Sequence, residues 1–500
     1  MKKIFPFFIS FFSFFIPAAL FALTLTLFSC QKNSEPKTGY IPVSGGGRIY
    51  YEEQGEGEPV ILLHGHSLDT RMWDRQFGAI AEAGYRVVRL DFRGYGRSSE
   101  QSESFQHTHM DDVLTVMDTL RIPRAHLVGL SMGSFVAGDM VAMCPERIIS
   151  CVMASGSVRS TPGPSEPMDS VESASRDREI AELKEKGIQA MKDEWLETLM
   201  SSGGSGREKM LRKPLRKMIS DWSAWQPLHK EVRLFYGRDA QRVLEKRHSP
   251  VPALFITGEN EKRPNAPSMS RWMEHFQYQV LPDCGHMLNM EQPQAFNEAV
   301  IGFIRQHPDL LPPARFGGLQ TGDLVFVTHP SQTGGLDTIH VASLDVQTDG
   351  VFVIDATLRH GVDRHPLDTL FSDFTRHDGS VCDMYVMRLK ENDKAYRWIT
   401  SALTYTGEPY DLDFTYDNAK HYCSELVHDT YLTLEGTPIF PGSSDSYNGE
   451  DIPVSEDWKR LFGLMHMPLP KRNPDISPAE ISRNGNLINV PVDITTLSSL

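Results

Sequence analysis

The sequence predicts an α/β fold, a mostly parallel sheet with a helical cap, followed by a second domain of α+β type. Three observations carry this. From Gly39 to about Pro308, apolar runs that read as buried strands alternate with helix-like stretches, the pattern of a sheet covered on both faces. The run Ala125 to Leu130 stops abruptly at Ser131, fenced by Gly129 and Gly133, and a helix-like stretch, Phe135 to Ala142, follows. Beyond the proline-marked segment Pro308 to Ala314 the texture changes to short β-rich runs. At 500 residues the chain is also too long for one core.

Composition is that of an ordinary globular protein, 40% hydrophobic and 23% charged. A net charge of −15 argues against a nucleic-acid partner, because phosphate binding needs a basic surface. The one basic run, Arg207, Lys209, Arg212, Lys213, Arg216 and Lys217, reads as a solvated helix face. At the N-terminus Met1-Lys2-Lys3 precedes an almost wholly apolar stretch, Ile4 to Phe28, closed by Ser29-Cys30. This resembles a bacterial lipoprotein signal, residues 1–30, with Cys30 lipidated and a polar tether at 31–39. The alternative is a retained transmembrane anchor. The lipoprotein reading places the rest of the chain outside the cytoplasm, held at a membrane. The remaining cysteines, Cys144, Cys151, Cys284, Cys382 and Cys423, are scattered and odd in number, with no metal-ligand spacing. A free thiol is therefore expected, and neither a metal nor an organic cofactor.

Within the first domain, Val60 to Leu63 reads as a buried strand ending in His64-Gly65-His66-Ser67, at the sheet edge where ligands bind. Arg86 to Leu90 is the next strand and runs into Asp91-Phe92-Arg93-Gly94-Tyr95-Gly96-Arg97-Ser98, a tight loop that Asp91 and Arg93 are expected to brace. Ser131 falls on a strand-to-helix turn, where the flanking glycines remove Cβ atoms that would collide. Together His64-Gly65, Asp91-x-Arg93-Gly94-x-Gly96-x-Ser98 and Gly129-x-Ser131-x-Gly133 resemble the α/β-hydrolase fold family. The resemblance implies Ser131 as nucleophile and the backbone N–H groups of Met132 and His66 as oxyanion donors. It also places an acid and then a histidine later in the chain. His286, in Gly285-His286 after the strand Gln277 to Leu281, is the expected base. The family position of the acid, three residues after Gly258, holds Glu261, with Glu259 as competitor. The insertion from Val158 to His248 is the expected cap, with Ser201 to Gly206 as a flexible segment. Trp195, Trp222 and Trp225 either line the serine site or hold the cap's own core. Serine at 131 excludes dehalogenase and epoxide-hydrolase chemistry, which need a carboxylate nucleophile.

In the second domain, Asp323 to Val327, Ile339 to Leu344 and Val351 to Ala356 read as strands. Cys423, Leu426, Val427, Tyr431 and Leu434 lie at helical spacing, with Cys423 opening the helix. A thiol there has a lowered pKa, and a strand histidine and carboxylate would complete a nucleophilic set. A buried apolar cysteine is the plainer alternative. Gly322-Asp323-Leu324-Val325-Phe326, Ile339-His340-Val341, Asp355-Ala356, Gly407-Glu408-Pro409-Tyr410-Asp411 and Tyr422-Cys423-Ser424-Glu425-Leu426-Val427 resemble the permuted papain-like amidases, the YiiX group of the NlpC superfamily. The resemblance implies Cys423 as nucleophile, His340 as base and Tyr410 as an oxyanion aid. Asp355 stands as the third polar residue, where the group often has glutamate. Glu425 is read as a helix-structural residue.

The domain reading is a hydrolase domain at 40–308 with its cap at 158–248, a linker at 309–316, a papain-like domain at 317–465 and a C-terminal extension at 466–500. The functional expectation is a two-headed envelope hydrolase, with a Ser-His-Glu head for carboxylic esters or amides and a Cys-His-Asp head for amide or peptide bonds. Both heads would work through acyl-enzyme intermediates on small-molecule, lipid or peptide substrates. The rival class is an envelope lipoprotein whose hydrolase-like domains bind ligands without cleaving them.

Overall fold

The computed structural model describes residues 35–101, 107–158, 170–229, 240–261, 271–309, 316–330, 335–442 and 476–497, with short gaps at 274, 393, 413, 415–417 and 434–435, and the single positions 459 and 463. The expected signal segment and Cys30 lie outside the described residues. Among those described, no helix is long and apolar enough to cross a membrane.

The first sheet contains β1 (Lys37–Pro42), β2 (Arg48–Gln54), β3 (Pro59–Leu63), β4 (Arg86–Leu90), β5 (Ala125–Leu130), β6 (Ile148–Ala154), β7 (Ala253–Gly258) and β8 (Phe276–Leu281). They run in the order β1-β2-β4-β3-β5-β6-β7-β8, antiparallel from β1 to β4 and parallel from β4 to β8. The inner strands β3, β5 and β6 are apolar and almost wholly buried, as strands covered on both faces must be. One boundary differs from the sequence reading. Lys37, Thr38 and Gly39 already pair with Glu53, Glu52 and Tyr51, so the last part of the expected tether is edge strand, fixed by ladder hydrogen bonds.

Helices α1 (Asp74–Glu82), α2 (His109–Thr119) and α3 (Met132–Met143) connect these strands. The expected cap segment holds α4 (Ser170–Lys186), α5 (Ile188–Met200), α6 (Glu208–Asp221), α7 (Trp225–Leu228) and α8 (Ala240–Lys246), of which α8 packs into the core beside α3. α6 turns Leu211, Leu215, Met218 and Ile219 inward and leaves Lys209, Lys213, Arg216 and Lys217 exposed, so most of the basic run is a solvated face. Two helices, α9 (Leu288–Glu291) and α10 (Pro293–Gln306), complete the domain.

The second sheet is antiparallel, in the order β12-β11-β10-β9-β13-β14. Its strands are β9 (Leu324–Pro330), β10 (Leu336–Val346), β11 (Val351–Thr357), β12 (Gly361–Pro366), β13 (Asp383–Leu389) and β14 (Leu487–Val490). Helices α11 (Leu367–Asp373), α12 (Ala395–Thr404), α13 (Cys423–Thr430) and α14 (Pro478–Ser482) pack against it. The described part of the C-terminal extension, residues 476–497, therefore belongs to this domain. β14 pairs with β13, and Ile476, Ile481 and Leu487 join the core around Cys423. The cysteine helix is shorter than its apolar spacing predicts: Tyr431 follows it, buried and stacked on Trp398 at 4.8 Å, and Leu434 lies outside the described residues.

The two domains share a core. α3 has no polar face, and its Val136, Ala137, Met140 and Val141 belong to one buried cluster with Ile399, Ala402 and Leu403 of α12. Across the same interface Asp345 of β10, fully buried, accepts from Arg247 Nη1 at 2.8 Å and from Arg364 Nε at 2.8 Å. Arg247 also donates to the Ala142 carbonyl at 2.5 Å, at the end of α3. Arg397 Nη2 reaches Asp111 of α2 at 3.2 Å, and the Tyr396 hydroxyl donates to the same carboxylate. A cavity of about 520 Å³ lies between the domains, lined by Leu114, Arg124, Phe316, Val346 and Tyr396 among others, and no candidate site residue lines it.

Candidate active sites

Ser131 occupies the turn between β5 and α3 with φ 54° and ψ −113°, a conformation that costs a non-glycine residue about 1–3 kcal/mol. The turn closes only because its neighbours lack side chains. A Cβ on Gly129 would lie 2.2 Å from the Gly133 carbonyl oxygen, and one on Gly133 would lie 2.0 Å from that of Leu63. Met132 opens α3, so its amide is one of those a helix leaves without an intrahelical partner.

His66 follows β3. Its ring Nδ1 is 2.7 Å from the Tyr95 hydroxyl, which also reaches Met132 Sδ at 3.5 Å. Tyr95 thus touches both residues whose amides are the expected oxyanion donors. Burial, with neighbouring His64, pushes the His66 pKa down to about 4, so the ring is neutral at physiological pH. Trp195 and Trp222 stand edge-on to His66, at 5.9 and 4.9 Å, and Trp222 is also part of the buried core. Trp225 instead stacks on His229 at 4.3 Å. His64 is structural: its Nε2 accepts from the Phe92 amide at 2.9 Å. Asp91 takes the amides of Thr70 and Arg97, and Arg93 forks onto Asp112 at 2.7 and 3.0 Å, so both brace the loop.

The expected acid and base meet at the ends of β7 and β8. His286 Nδ1 is 2.6 Å from Glu261 Oε1, while Glu261 Oε2 accepts from the Ser155 hydroxyl at 2.6 Å and the Thr257 hydroxyl at 3.2 Å. Held at Nδ1, the ring offers Nε2 for proton transfer. Glu259 does different work, accepting from the Asp283 amide at 2.9 Å in the histidine loop. The Ser201–Gly206 segment is not a flexible spacer; it is clamped onto that loop. Ser202 Oγ accepts from the His286 amide at 3.2 Å, and Glu291 accepts from Gly204 at 2.7 Å and from Gly285 at 3.1 Å. A Cβ on Gly285 would lie 2.2 Å from the Ser202 carbonyl oxygen, so glycine permits a close backbone approach.

In the second domain Cys423 is buried at the first position of α13. His340 comes from β10, where the register against β9 shifts between Thr338 and His340; such a bulge re-aims a side chain. His340 Nε2 is 2.7 Å from Asp355 Oδ2 on β11, and its ring lies near enough to Cys423 for the two to interact electrostatically. Burial alone would lower the His340 pKa, yet Cys423 and Asp355 carry it up to about 10, which keeps the ring protonated beside the sulfur. Asp355 goes the other way. Burial would raise it, and hydrogen bonds from His340 and His365 bring it down to about 2.

Burial, followed by Cys423 and the acids Asp411 and Glu425, pushes the Tyr410 pKa well up, so its hydroxyl keeps its proton and can donate. Burial pushes Glu425 up to about 8. The same carboxyl group accepts from the Tyr422 amide at 3.3 Å, the cap of the helix.

Three partners escape a sequence reading. Tyr95 lies inside a loop valued for its glycines. Ser155 is signalled only by its place at the carboxyl end of a parallel strand, where ligands gather. His365 Nε2 sits 3.0 Å from Asp355 Oδ1, brought there by strand pairing.

Fold and site define a hydrolase built of two domains. A model of the alpha/beta hydrolase family matches residues 60–299, and one of the permuted papain-like amidases, the YaeF/YiiX C92 family, matches residues 318–438. The chain thus carries an α/β hydrolase domain followed by a permuted papain-like amidase domain. Among curated relatives, the 2-hydroxy-6-oxononadienedioate/2-hydroxy-6-oxononatrienedioate hydrolase of Paraburkholderia phymatum is 27% identical over 289 residues, 53% of this chain and 95% of that protein. The AB hydrolase superfamily protein YisY of Bacillus subtilis is 25% identical over 276 residues, 53% of this chain and 98% of that protein. A solved structure, the enol-lactonase from Burkholderia xenovorans LB400, is 24% identical and covers 53% of this chain and 100% of its own, with a TM-score of 0.43.

Proposed function

We propose that this protein is a cell-envelope lipoprotein with two independent nucleophiles, tethered through Cys30 outside the cytoplasm. The observation that supports the two-headed reading is the pair of histidine–carboxylate contacts in one chain, His286 on Glu261 and His340 on Asp355. In the first head Ser131 Oγ attacks a carboxylic ester carbonyl as His286 takes its proton. The oxyanion is received by the Met132 and His66 amides. The alcohol leaves with the proton from His286, and water then releases the acid from the acyl-serine. The second head cleaves an amide or peptide bond. The Cys423 thiolate attacks the carbonyl, Tyr410 steadies the oxyanion, and His340 hands its proton to the departing amine. Water hydrolyses the acyl-thioester that remains.

Intact-mass spectrometry tests this on the chain treated with a fluorophosphonate and, separately, with dilute iodoacetamide at neutral pH. One adduct from each reagent is expected, lost in Ser131→Ala and Cys423→Ala respectively. No adduct with either reagent would overturn the catalytic reading in favour of a ligand-binding lipoprotein.

A further inference from the structure

We propose that His365 is a cationic positioning residue for the cysteine head, holding Asp355 from the side opposite His340. The proposal rests on reading Cys423 as the nucleophile. It begins with register: β11 and β12 pair so that Val353 faces His365 and Asp355 faces Asp363. Asp355 and His365 therefore lie on one face of the ladder as diagonal neighbours. The two oxygens of Asp355, which is 1% exposed, are divided between two imidazoles: Oδ2 takes His340 Nε2 at 2.7 Å and Oδ1 takes His365 Nε2 at 3.0 Å.

The second nitrogen of His365 decides its charge. Nδ1 lies 3.1 Å from the Pro366 carbonyl oxygen, which can only accept, and an ionised carboxylate can only accept as well. Both ring nitrogens must donate, so the ring is an imidazolium. Burial alone would lower its pKa, and the Asp355 carboxylate more than reverses this, so the cation is present at neutral pH and is lost as pH rises through the raised value. Asp363 on its own strand and the His360 ring, 6.0 Å away between centroids, also lie near it. His360 is paired with Asp373 of α11 at 3.2 Å, and neighbouring Arg364 points to Asp345.

The consequence for the reaction is one of orientation: with Oδ1 occupied, the Asp355 carboxylate cannot rotate away from His340, so the base keeps one orientation. The cation also shares the Asp355 charge with His340, so its loss changes the pH dependence of the head as well as its rate. A histidine that merely filled space beside Asp355 would change neither.

The test is the pH profile of Cys423 alkylation by dilute iodoacetamide in the full chain, followed by intact-mass spectrometry with Cys423→Ser as the blank. The wild type is expected to be alkylated at Cys423. His365→Gln keeps a donor for Oδ1 and removes the charge, and should slow alkylation by about threefold to tenfold and move its pH profile. His365→Arg restores the charge and should return both towards wild type. His365→Asn gives the same readout as the glutamine variant if the latter does not fold. A reactive wild-type Cys423 whose rate and profile are unmoved by the neutral variants overturns the role of His365 and leaves Cys423 as nucleophile. An unreactive wild-type Cys423 overturns the nucleophile reading and this proposal with it.

Discussion

Glu261 and Glu259 sit two residues apart in one turn, yet one holds the His286 ring and the other the backbone of its loop. The distinction matters because a catalytic imidazole needs a fixed tautomer. Glu261→Gln can present an N–H to Nδ1, which places the ring proton on Nε2 and blocks its role as base. Ester turnover should fall by about 10²–10⁴-fold with the thermal midpoint unchanged, by analogy with other triads whose acid becomes an amide. Glu259→Gln keeps an oxygen for the Asp283 amide and should cost less than about tenfold. Steady-state kinetics on an activated ester measures both; the reverse ranking would move the acid to Glu259. Glu261 was legible as the third residue after Gly258, whereas Ser155 and Thr257, which hold its second oxygen, were not, because nothing in local spacing records a contact between three strand ends.

The turn at Ser131 shows what an element can encode by itself. An apolar strand, two glycines and an apolar helix suffice to specify it, because only glycine tolerates backbone approaches near 2 Å from a Cβ position. Gly133→Ala should displace α3 or the Leu63 carbonyl and cost about 1–3 kcal/mol or more. Gly138→Ala is the control on the same helix, since its Cβ would meet nothing closer than 3.5 Å. Denaturant unfolding separates them, and equal stability of both variants would mean that the elbow relaxes without strain. Elsewhere local pattern misled. Ser201 to Gly206 has the composition of a flexible spacer but is pinned by Glu291 and Asp283, and its glycine permits contact with the histidine loop. The cysteine helix stops at Thr430 although apolar spacing continues, because Tyr431 is buried by stacking on Trp398 instead of by helical periodicity.

At the scale of the whole molecule, the two heads are joined by a common core and by the buried Arg247–Asp345–Arg364 set. Removing one partner of a buried ion pair leaves a desolvated charge, at a cost of about 3–5 kcal/mol. Arg247 also holds the end of α3, whose first turn follows Ser131, while Asp345 lies on the strand that carries His340. Arg247→Met should therefore lower the stability of both domains together. Calorimetry of the wild type is expected to give one unfolding transition, shifted as a whole in the variant. Two transitions, with only the first moved by Arg247→Met, would mean that the domains fold independently.

The sequence by itself determined the two hydrolase domains, their order, and the chemistry-bearing residues that lie on strands, turns and helix starts. Those features are local: a strained turn needs its glycines, and a thiol at a helix start is visible in the spacing. Only the tertiary structure decided which of two glutamates meets His286, that Tyr95 bridges His66 and Met132, that His365 shares Asp355 with His340, and that the two domains have one core. Each of these depends on strand register or on packing between segments far apart in the chain. The relevant distances are set by the sheet and its neighbours, and no one-dimensional pattern contains them.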